Sequence, residues 1–313
     1  MENPPRKETF VAGGYHERTV KQMFHHLLWR LISPLPDRPY LQLKYFVIKG
    51  QWPDIDNPKT FSEKVQARKL YDRREIYGRL VDKAAVKDFV AETVGSAYVT
   101  PTYWVGTDIA TVDWSTIPLP AVVKPTHASA QGVFLYGQDD VERFRAENSV
   151  AHWLTLDHAH YNREWAYSRV KPQVLIEAML HADGGIPRDY RFFTFDGKVS
   201  HIEVNLRIDG TGYACNYSPD WKKLPFYDPD YLPFYKPDLP RPERLDEMMQ
   251  VAQTIGRGFD FLRIDLYASH DWVRVGELTL YPGGGFEGFE PPDYDRIIGD
   301  KWVLGFDIPR RGR

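Results

Sequence analysis

The chain has 313 residues, 42% of them hydrophobic and 27% charged, with a net charge of −3. This is ordinary globular composition, with length for one large or two modest domains, and it supplies no global basic field for nucleic acid. One cysteine, Cys215, excludes an intrachain disulfide and fits a reducing, cytoplasmic setting; nothing nearby activates it, so it reads as structural.

The start, Met1 to Thr9, is polar and does not read as a signal peptide. Met23 to Ile32 is apolar but broken by His25, His26 and Arg30, too short and too charged to span a bilayer. It reads as an amphipathic helix docked on the protein's own core, with attachment to a membrane surface as the alternative. Residues 1–78 are expected to form a mainly helical segment punctuated by Pro34, Pro36, Pro39, Pro53 and Pro58. Asn57-Pro58-Lys59-Thr60 reads as a turn into a helix capped by Thr60 or Ser62, with Glu63 in its first turn. No strand is followed by G-x-G-x-x-G, so no dinucleotide fingerprint is present.

Residues 79–92 read as a helix beginning near Asp82, with Val81, Ala85, Phe89 and Val90 on one side. Ala121 to Lys124 reads as a buried strand and Val133 to Tyr136 as its hairpin partner. The small, polar loop Thr126-His127-Ala128-Ser129-Ala130-Gln131-Gly132 lies between them. Residues 139–170 read as mostly helical with Trp153 and Trp165 packed inside, and Val174 to Glu177 as a buried strand with an acidic end. Tyr190 to Phe195 and Lys198 to Leu206 form a hairpin around Asp196-Gly197. Residues 214–240, rich in proline, tyrosine and aspartate, read as a long loop. An amphipathic helix over 243–257 buries Leu245, Met248, Met249, Ala252 and Ile255. Strands 262–267 and 272–280 follow, joined at His270-Asp271, and then the glycine run Gly283 to Gly285. The basic end Arg310-Arg311-Gly312-Arg313 reads as a solvated tail.

The last two strands carry one carboxylate each, Asp265 and Glu277, and two adjacent carboxylates make a poor core but a good magnesium site. Such a pair needs a cation or a raised pKa, or Asp265 pairs instead with Arg263, its same-face neighbour. Arg263 is placed to stabilise a developing oxyanion, and Gly283 to admit a substrate carboxylate or backbone at close range. Lys124, followed by a loop of small residues (Ser129, Gln131 and Gly132 among them) whose N–H groups can approach phosphates, and Lys83 are candidate phosphate ligands. Glu177, after Ile176 on an apolar strand, suits the single polar anchor of an adenine site. Asp189 either accepts from ribose hydroxyls or pairs with Arg188 or Arg191. No general base is assigned; His127, in the loop after Lys124, is the residue there that could serve as one.

The order Asp82-Lys83, Val123-Lys124-Pro125, Ile176-Glu177, Asp189, Arg263-Ile264-Asp265, Glu277-Leu278-Thr279 and Pro282-Gly283 resembles the ATP-grasp superfamily, in layout D-alanine–D-alanine ligase. A narrower resemblance is to the TupA-like ATP-grasp family, named for teichuronopeptide biosynthesis. It is carried by Asn57-Pro58-Lys59-Thr60-Phe61-Ser62-Glu63-Lys64, Lys69-Leu70-Tyr71-Asp72, Arg163-Glu164-Trp165 and Asp189-Tyr190-Arg191-Phe192-Phe193, and covers roughly residues 38–299. The resemblance implies an α+β, ATP-grasp fold over 79–313, with a lid subdomain over about 100–172 and a C-terminal subdomain over about 173–313 that grip ATP between them. It also implies that Lys83 and Lys124 contact phosphates, Ile176 and Glu177 form the adenine hinge and Asp189 contacts ribose. Asp265 and Glu277 would bind Mg2+, and Arg263 would stabilise a tetrahedral intermediate. Thr279 stands where most ATP-grasp enzymes carry a metal-ligating asparagine, and Ala128 and Ala130 stand in a loop usually richer in glycine.

The activity expected is ATP-dependent joining of a carboxylate to an amine through an acylphosphate, with a cell-surface polysaccharide precursor or a peptide-like metabolite as product. The alternatives are a sugar or small-molecule kinase and a nucleotide-binding protein without turnover.

Overall fold

A computed structural model describes residues 28–29, 31–129, 131–147, 149–182 and 185–309. Of the expected helix at 23–32, only Leu28, Trp29, Leu31 and Ile32 fall among them, and Trp29 and Ile32 pack on Tyr40 and Leu41; the basic end at 310–313 lies outside. Among the described residues no helix is long and apolar enough to cross a membrane.

Helix α1 (Asp37–Lys49) ends at Gly50, whose φ of 74° makes the left-handed C-cap. Helix α2 (Phe61–Tyr71) begins with the expected cap: the Thr60 hydroxyl accepts from the Glu63 amide while the Glu63 carboxylate accepts from the Thr60 amide. The α2 helix is nearly engulfed. Phe61 and Val65 enter the main core, and fully buried Arg68 pairs with Asp260 at 2.6 Å and lies 4.4 Å over the Trp302 ring. The single helix expected over 79–92 is two: α3 (Ile76–Val81) stops at extended Asp82, whose carboxylate accepts the amides of Ala84 and Ala85 and starts α4 (Ala85–Val94). Val81 therefore belongs to α3, and Val86 rather than Ala85 is buried in α4.

The first sheet is antiparallel, with strands β1 (Thr102–Gly106), β2 (Ala121–Pro125), β3 (Val133–Leu135) and β4 (Val174–Ala178) in the order β1-β4-β2-β3. Its apolar side, Val123, Leu135 and Ile176, packs under α5 (Gln138–Ala146) and α6 (Ser149–Leu154) through Phe144 and Trp153. Because β4 pairs with β1 and β2, this sheet runs past the boundary expected at 172/173. The helical stretch expected over 139–170 is split into α5, α6, α7 (His158–Asn162) and a 3-10 turn at Trp165–Arg169; Trp153 is buried and Trp165 half-buried.

The second sheet has six antiparallel strands: β5 (Asp189–Phe195), β6 (Lys198–Ile208), β7 (Thr211–Tyr217), β8 (Lys223–Leu224), β9 (Leu262–Ala268) and β10 (Val273–Thr279), ordered β10-β9-β5-β6-β7-β8. Asp196 and Gly197, at φ 49° and 73°, make the expected tight turn. The loop expected over 214–240 begins only after β8, because residues 214–217 continue β7 alongside β6. Period-two alternation splits the sheet into two chemistries. One face (Phe192, Ile202, Val204, Ile264, Leu266 and Leu278) is fully buried against α8 (Leu245–Gly256) through Met248, Ala252 and Ile255. The other face carries polar residues where it meets the first sheet, while Phe193 and Phe195, farther along β5 on that face, are buried against Phe61 of α2 and Phe261.

Met248 is fully buried under the six-stranded sheet, so Met248→Ala should lower unfolding stability by roughly 2–5 kcal/mol in urea titrations; an unchanged midpoint would contradict this packing.

Candidate active site

Five polar residues from five neighbouring strands lie in one row across the second sheet: Glu277 opposite Asp265, Asp265 opposite Arg191, Arg191 opposite Glu203, and Glu203 opposite Asn216. Arg191 holds the row together. It donates to Asp189 at 2.8 Å and Glu203 at 2.9 Å and stands 3.9 Å from Asp265. One row along, Arg263 faces Thr279, grips Asp265 through two 2.7 Å hydrogen bonds and donates to the Thr279 hydroxyl at 3.1 Å. Burial and the nearby Asp189 push the Asp265 carboxyl up to about 6 despite Arg263 and Arg191. Burial also works against ionised Glu277, but Lys83, Arg263 and Lys124 outweigh it and hold that carboxyl below its ordinary value.

The opposite wall comes from α4 and the first sheet. Glu177 on β4 receives Lys124 at 2.5 Å and Lys87 at 2.6 Å. Burial would raise its pKa, but the two ammonium groups prevail and lower it. Lys87 also donates to the Thr100 carbonyl at 2.9 Å. Lys83, just ahead of α4, donates to the Ala128 carbonyl at 2.9 Å and stands 4.0 Å from Glu277, bridging the two walls; its pKa is lowered chiefly by burial. Between the walls lies a cavity of about 180 Å³, whose apolar part is Val86, Val90, Val99, Leu180 and Val275.

Six of the residues singled out in the sequence, Lys83, Lys124, Glu177, Asp189, Asp265 and Glu277, line this one cavity. Others do not. Ile176 is fully buried in the core of the first sheet, with β1 and β2 on either side, because β4 is a central strand; the cleft surface nearby is Leu180, past the end of β4. His127 is 3% exposed with Nε2 on the Trp153 carbonyl at 3.1 Å, and burial lowers its pKa. Ser129, Gln131 and Gly132 sit on the β2–β3 connection, away from the cavity lining, and it is the carbonyl of Ala128 in that loop that meets Lys83. Arg263 and Thr279 stand beside Asp265 rather than on the cavity wall. Asp265 does pair with Arg263, and Asp189 with Arg191. Gly283 has φ 50°, and a side chain there would run into Glu287, so the open approach expected at this glycine is filled from within. The turn is gripped from α2: Gln66 and Lys69 donate to the Gly284 carbonyl, and Gln66 to that of Gly285.

Lys87, Arg191, Glu203 and Tyr267 were missed. Arg191 lies two residues beyond Asp189 on the same strand face, so strand alternation pointed to it, whereas Lys83 precedes α4 and no periodicity links it to Lys87.

Among the described residues no group of three or more His, Cys, Asp or Glu could hold a metal. The donor set at β9–β10 is two carboxylates in cross-strand register, which fits a Mg2+ ion completed by phosphate oxygens. The buried Asp189 Oδ1 has no hydrogen-bond partner, which fits a ligand hydroxyl.

Two antiparallel sheets clasping a cleft with lysines on one wall and carboxylates on the other make an ATP-grasp fold. The chain belongs to the TupA-like ATP-grasp family, whose sequence profile (TupA-like ATPgrasp) matches residues 63–303. No curated protein matches it. Solved structures similar to it include D-alanine–D-alanine ligase from Bacillus anthracis complexed with ATP, at 15% identity over 65% of this chain and 55% of that one, TM-score 0.39. Another is the ATP-grasp ligase PsnB complexed with minimal precursor, Mg and ADP, at 16% over 85% and 67%, TM-score 0.37. A third is a RimK domain ATP-grasp protein from Sphaerobacter thermophilus DSM 20745, at 13% over 86% and 96%, TM-score 0.43. The chain spans little more than half the length of the Bacillus ligase chains it matches.

Glu177→Gln should cost roughly 3 kcal/mol at neutral pH, because it leaves two half-buried ammonium groups without their counter-charge. The folded pKa of Glu177 lies below its ordinary 4.5, so between those pH values the unfolded chain holds the extra proton and stability rises with pH. The stability gap between wild type and variant, from denaturation at a series of pH values, should be full above 4.5 and shrink below it; a pH-independent gap would contradict the pairing.

Proposed function

We propose that the protein is an ADP-forming carboxylate–amine ligase that uses Mg-ATP. The observation that carries this reading is the facing of Asp265 and Glu277 by Lys83 and Lys124 across one cleft. Phosphoryl transfer needs positioning and charge neutralisation more than covalent help from the protein, and this arrangement supplies both. Asp265 and Glu277 would hold Mg2+, with Thr279 beside them; the ion, when bound, screens phosphate charge. Lys124 would exchange its Glu177 partner for phosphate oxygen, and Lys83 would move from the Ala128 carbonyl to the same group. The apolar strip of Val86, Val90 and Leu180 suits a purine, with Glu177 and Lys87 at its edge and the free oxygen of Asp189 toward ribose.

In the first step an oxygen of the substrate carboxylate attacks the γ-phosphorus and ADP leaves. In the second the amine nitrogen attacks the acyl carbon, the carbonyl re-forms as phosphate leaves, and the nitrogen loses its proton. Arg263, held in plane by Asp265, is the cation next to the site where the oxyanion develops. Family membership favours a cell-surface polysaccharide precursor or a peptide-like metabolite as the product, made in the cytoplasm.

The test is ADP release with Mg-ATP, a pool of uronic and amino acids, and omission of single components. ADP formation that needs both an acid and an amine is expected; ADP formed with one hydroxyl acceptor and no amine would replace the ligase with a kinase. Lys124→Ala and Glu277→Ala should each lower kcat by about 10²-fold or more, and undiminished ADP release in Glu277→Ala would sink the metal assignment.

A further inference from the structure

The polar row does not stop at the nucleotide cleft. Its far end, Glu203 and Asn216, opens into a second cavity of about 20 Å³, room for one water-sized group. Asp228 and Glu287 line it as well, bringing three carboxylates to one small space. The nearby cations are committed elsewhere. Arg191 binds one oxygen of Glu203 and also Asp189, Arg263 is gripped by Asp265, and Lys49 pairs with Asp295 at 3.9 Å and meets Glu287 at its main-chain carbonyl. Asp228 uses one oxygen to accept the amides of Asp230 and Gly288. Its second oxygen, the second oxygen of Glu203 and both of Glu287 meet no hydrogen-bond donor among the described residues.

An independent observation asks for a donor at the same place. Asn216 is 3% exposed and donates Nδ2 to the Phe226 carbonyl at 3.0 Å, which fixes the amide's orientation. Its Oδ1 is then left buried with no partner. A buried acceptor without a donor is costly, and here it borders a cavity rimmed by acids.

An occupant with several N–H donors, a positive charge and the size of a water molecule answers both features, and a primary ammonium group has these properties. A divalent metal fits less well, because the acids do not converge as a metal-ligating group. We propose that this cavity is a subsite for a primary ammonium group of the acceptor substrate, an anchoring group distinct from the amine that forms the amide, so that the acceptor is a diamino compound. The inference rests on the ligase reading above. Two facts make the group an anchor. The carboxylates of Glu203, Asp228 and Glu287 in the lining favour the protonated, non-nucleophilic form of an amine. Glu203 also lies two strands from Asp265, about 10 Å along the sheet, so a reacting amine near Arg263 and an anchored one here fit on a single short molecule. Glu287, whose carboxyl is pushed up to about 7 by burial with Glu203 and Asp228 as contributors, is the residue an arriving cation would stabilise most.

The test is titration of the 15N-labelled full-length chain with ethylammonium chloride, with tetramethylammonium chloride as the charge-matched control lacking N–H donors. The account expects a saturable shift of the Asn216 side-chain amide and the Gly288 backbone amide with ethylammonium only. It expects affinity to weaken about tenfold in Glu287→Gln and in Asp228→Asn, each retaining the remaining wild-type spectrum. Equal responses to both salts, or unchanged affinity in both variants, would overturn the subsite. Mg-ATP added to the same samples reads the first cleft independently. Its shifts persisting without an ethylammonium response would overturn this inference alone, and their absence would overturn the ligase reading beneath it.

Discussion

Arg191 is the group on which the polar face of the second sheet depends. It lies between Asp189, Glu203 and Asp265, three carboxylates that β5, β6 and β9 bring together. Two like charges 4 Å apart repel by about 4 kcal/mol at an effective dielectric of 20, so without this guanidinium the acids would have to protonate or the strands separate. Arg263 repeats the arrangement one row along, with a planar fork that fits both oxygens of Asp265. The sheet can therefore keep a row of acids facing a cleft because Asp189, Glu203 and Asp265 each have a guanidinium within reach, while Glu277 faces only Lys83 at 4.0 Å and Glu287 has no ion pair among the described residues.

The first sheet is built on the complementary principle. Glu177 collects Lys124 and Lys87, so the lysines stay oriented instead of pointing into solvent. A phosphate chain would replace a carboxylate already present, and the cost of ordering two long side chains is met before a ligand arrives. The helices ahead of both sheets serve the far end of the site. Lys69 and Gln66 hold the glycine turn, while Lys44 reaches Asn162 at 2.7 Å and lies 3.9 Å over the Tyr161 ring, tying α1 to the segment that carries Glu164. Burial brings Lys44 down to about 7 and Lys69 to about 8.

Much of this was legible because it is written locally. Alternation on β9 put Arg263 and Asp265 on one face, two adjacent strands carried one carboxylate each, the Thr60–Glu63 box marked the start of α2, and Asp196-Gly197 marked a hairpin. What failed was written across the chain. Ile176 reads the same in an edge strand as in a central one, and only its pairing with β1 and β2 shows that it is core. The composition of 214–240 suggested a loop, but residues 214–217 are held as strand by register with β6, which is also what sets Asn216 beside Glu203. Gly283 read as room for a substrate to approach, and only the fold shows that the chain's own Glu287 lies there.

A crystal structure with Mn2+ and a non-hydrolysable ATP analogue tests the central claim most directly, because the manganese anomalous signal marks the metal without relying on turnover. The account predicts one metal peak between Asp265 and Glu277, phosphates on Lys83 and Lys124, and Glu177 released from Lys124. A nucleotide bound outside this cleft, or a metal held away from both carboxylates, would contradict it.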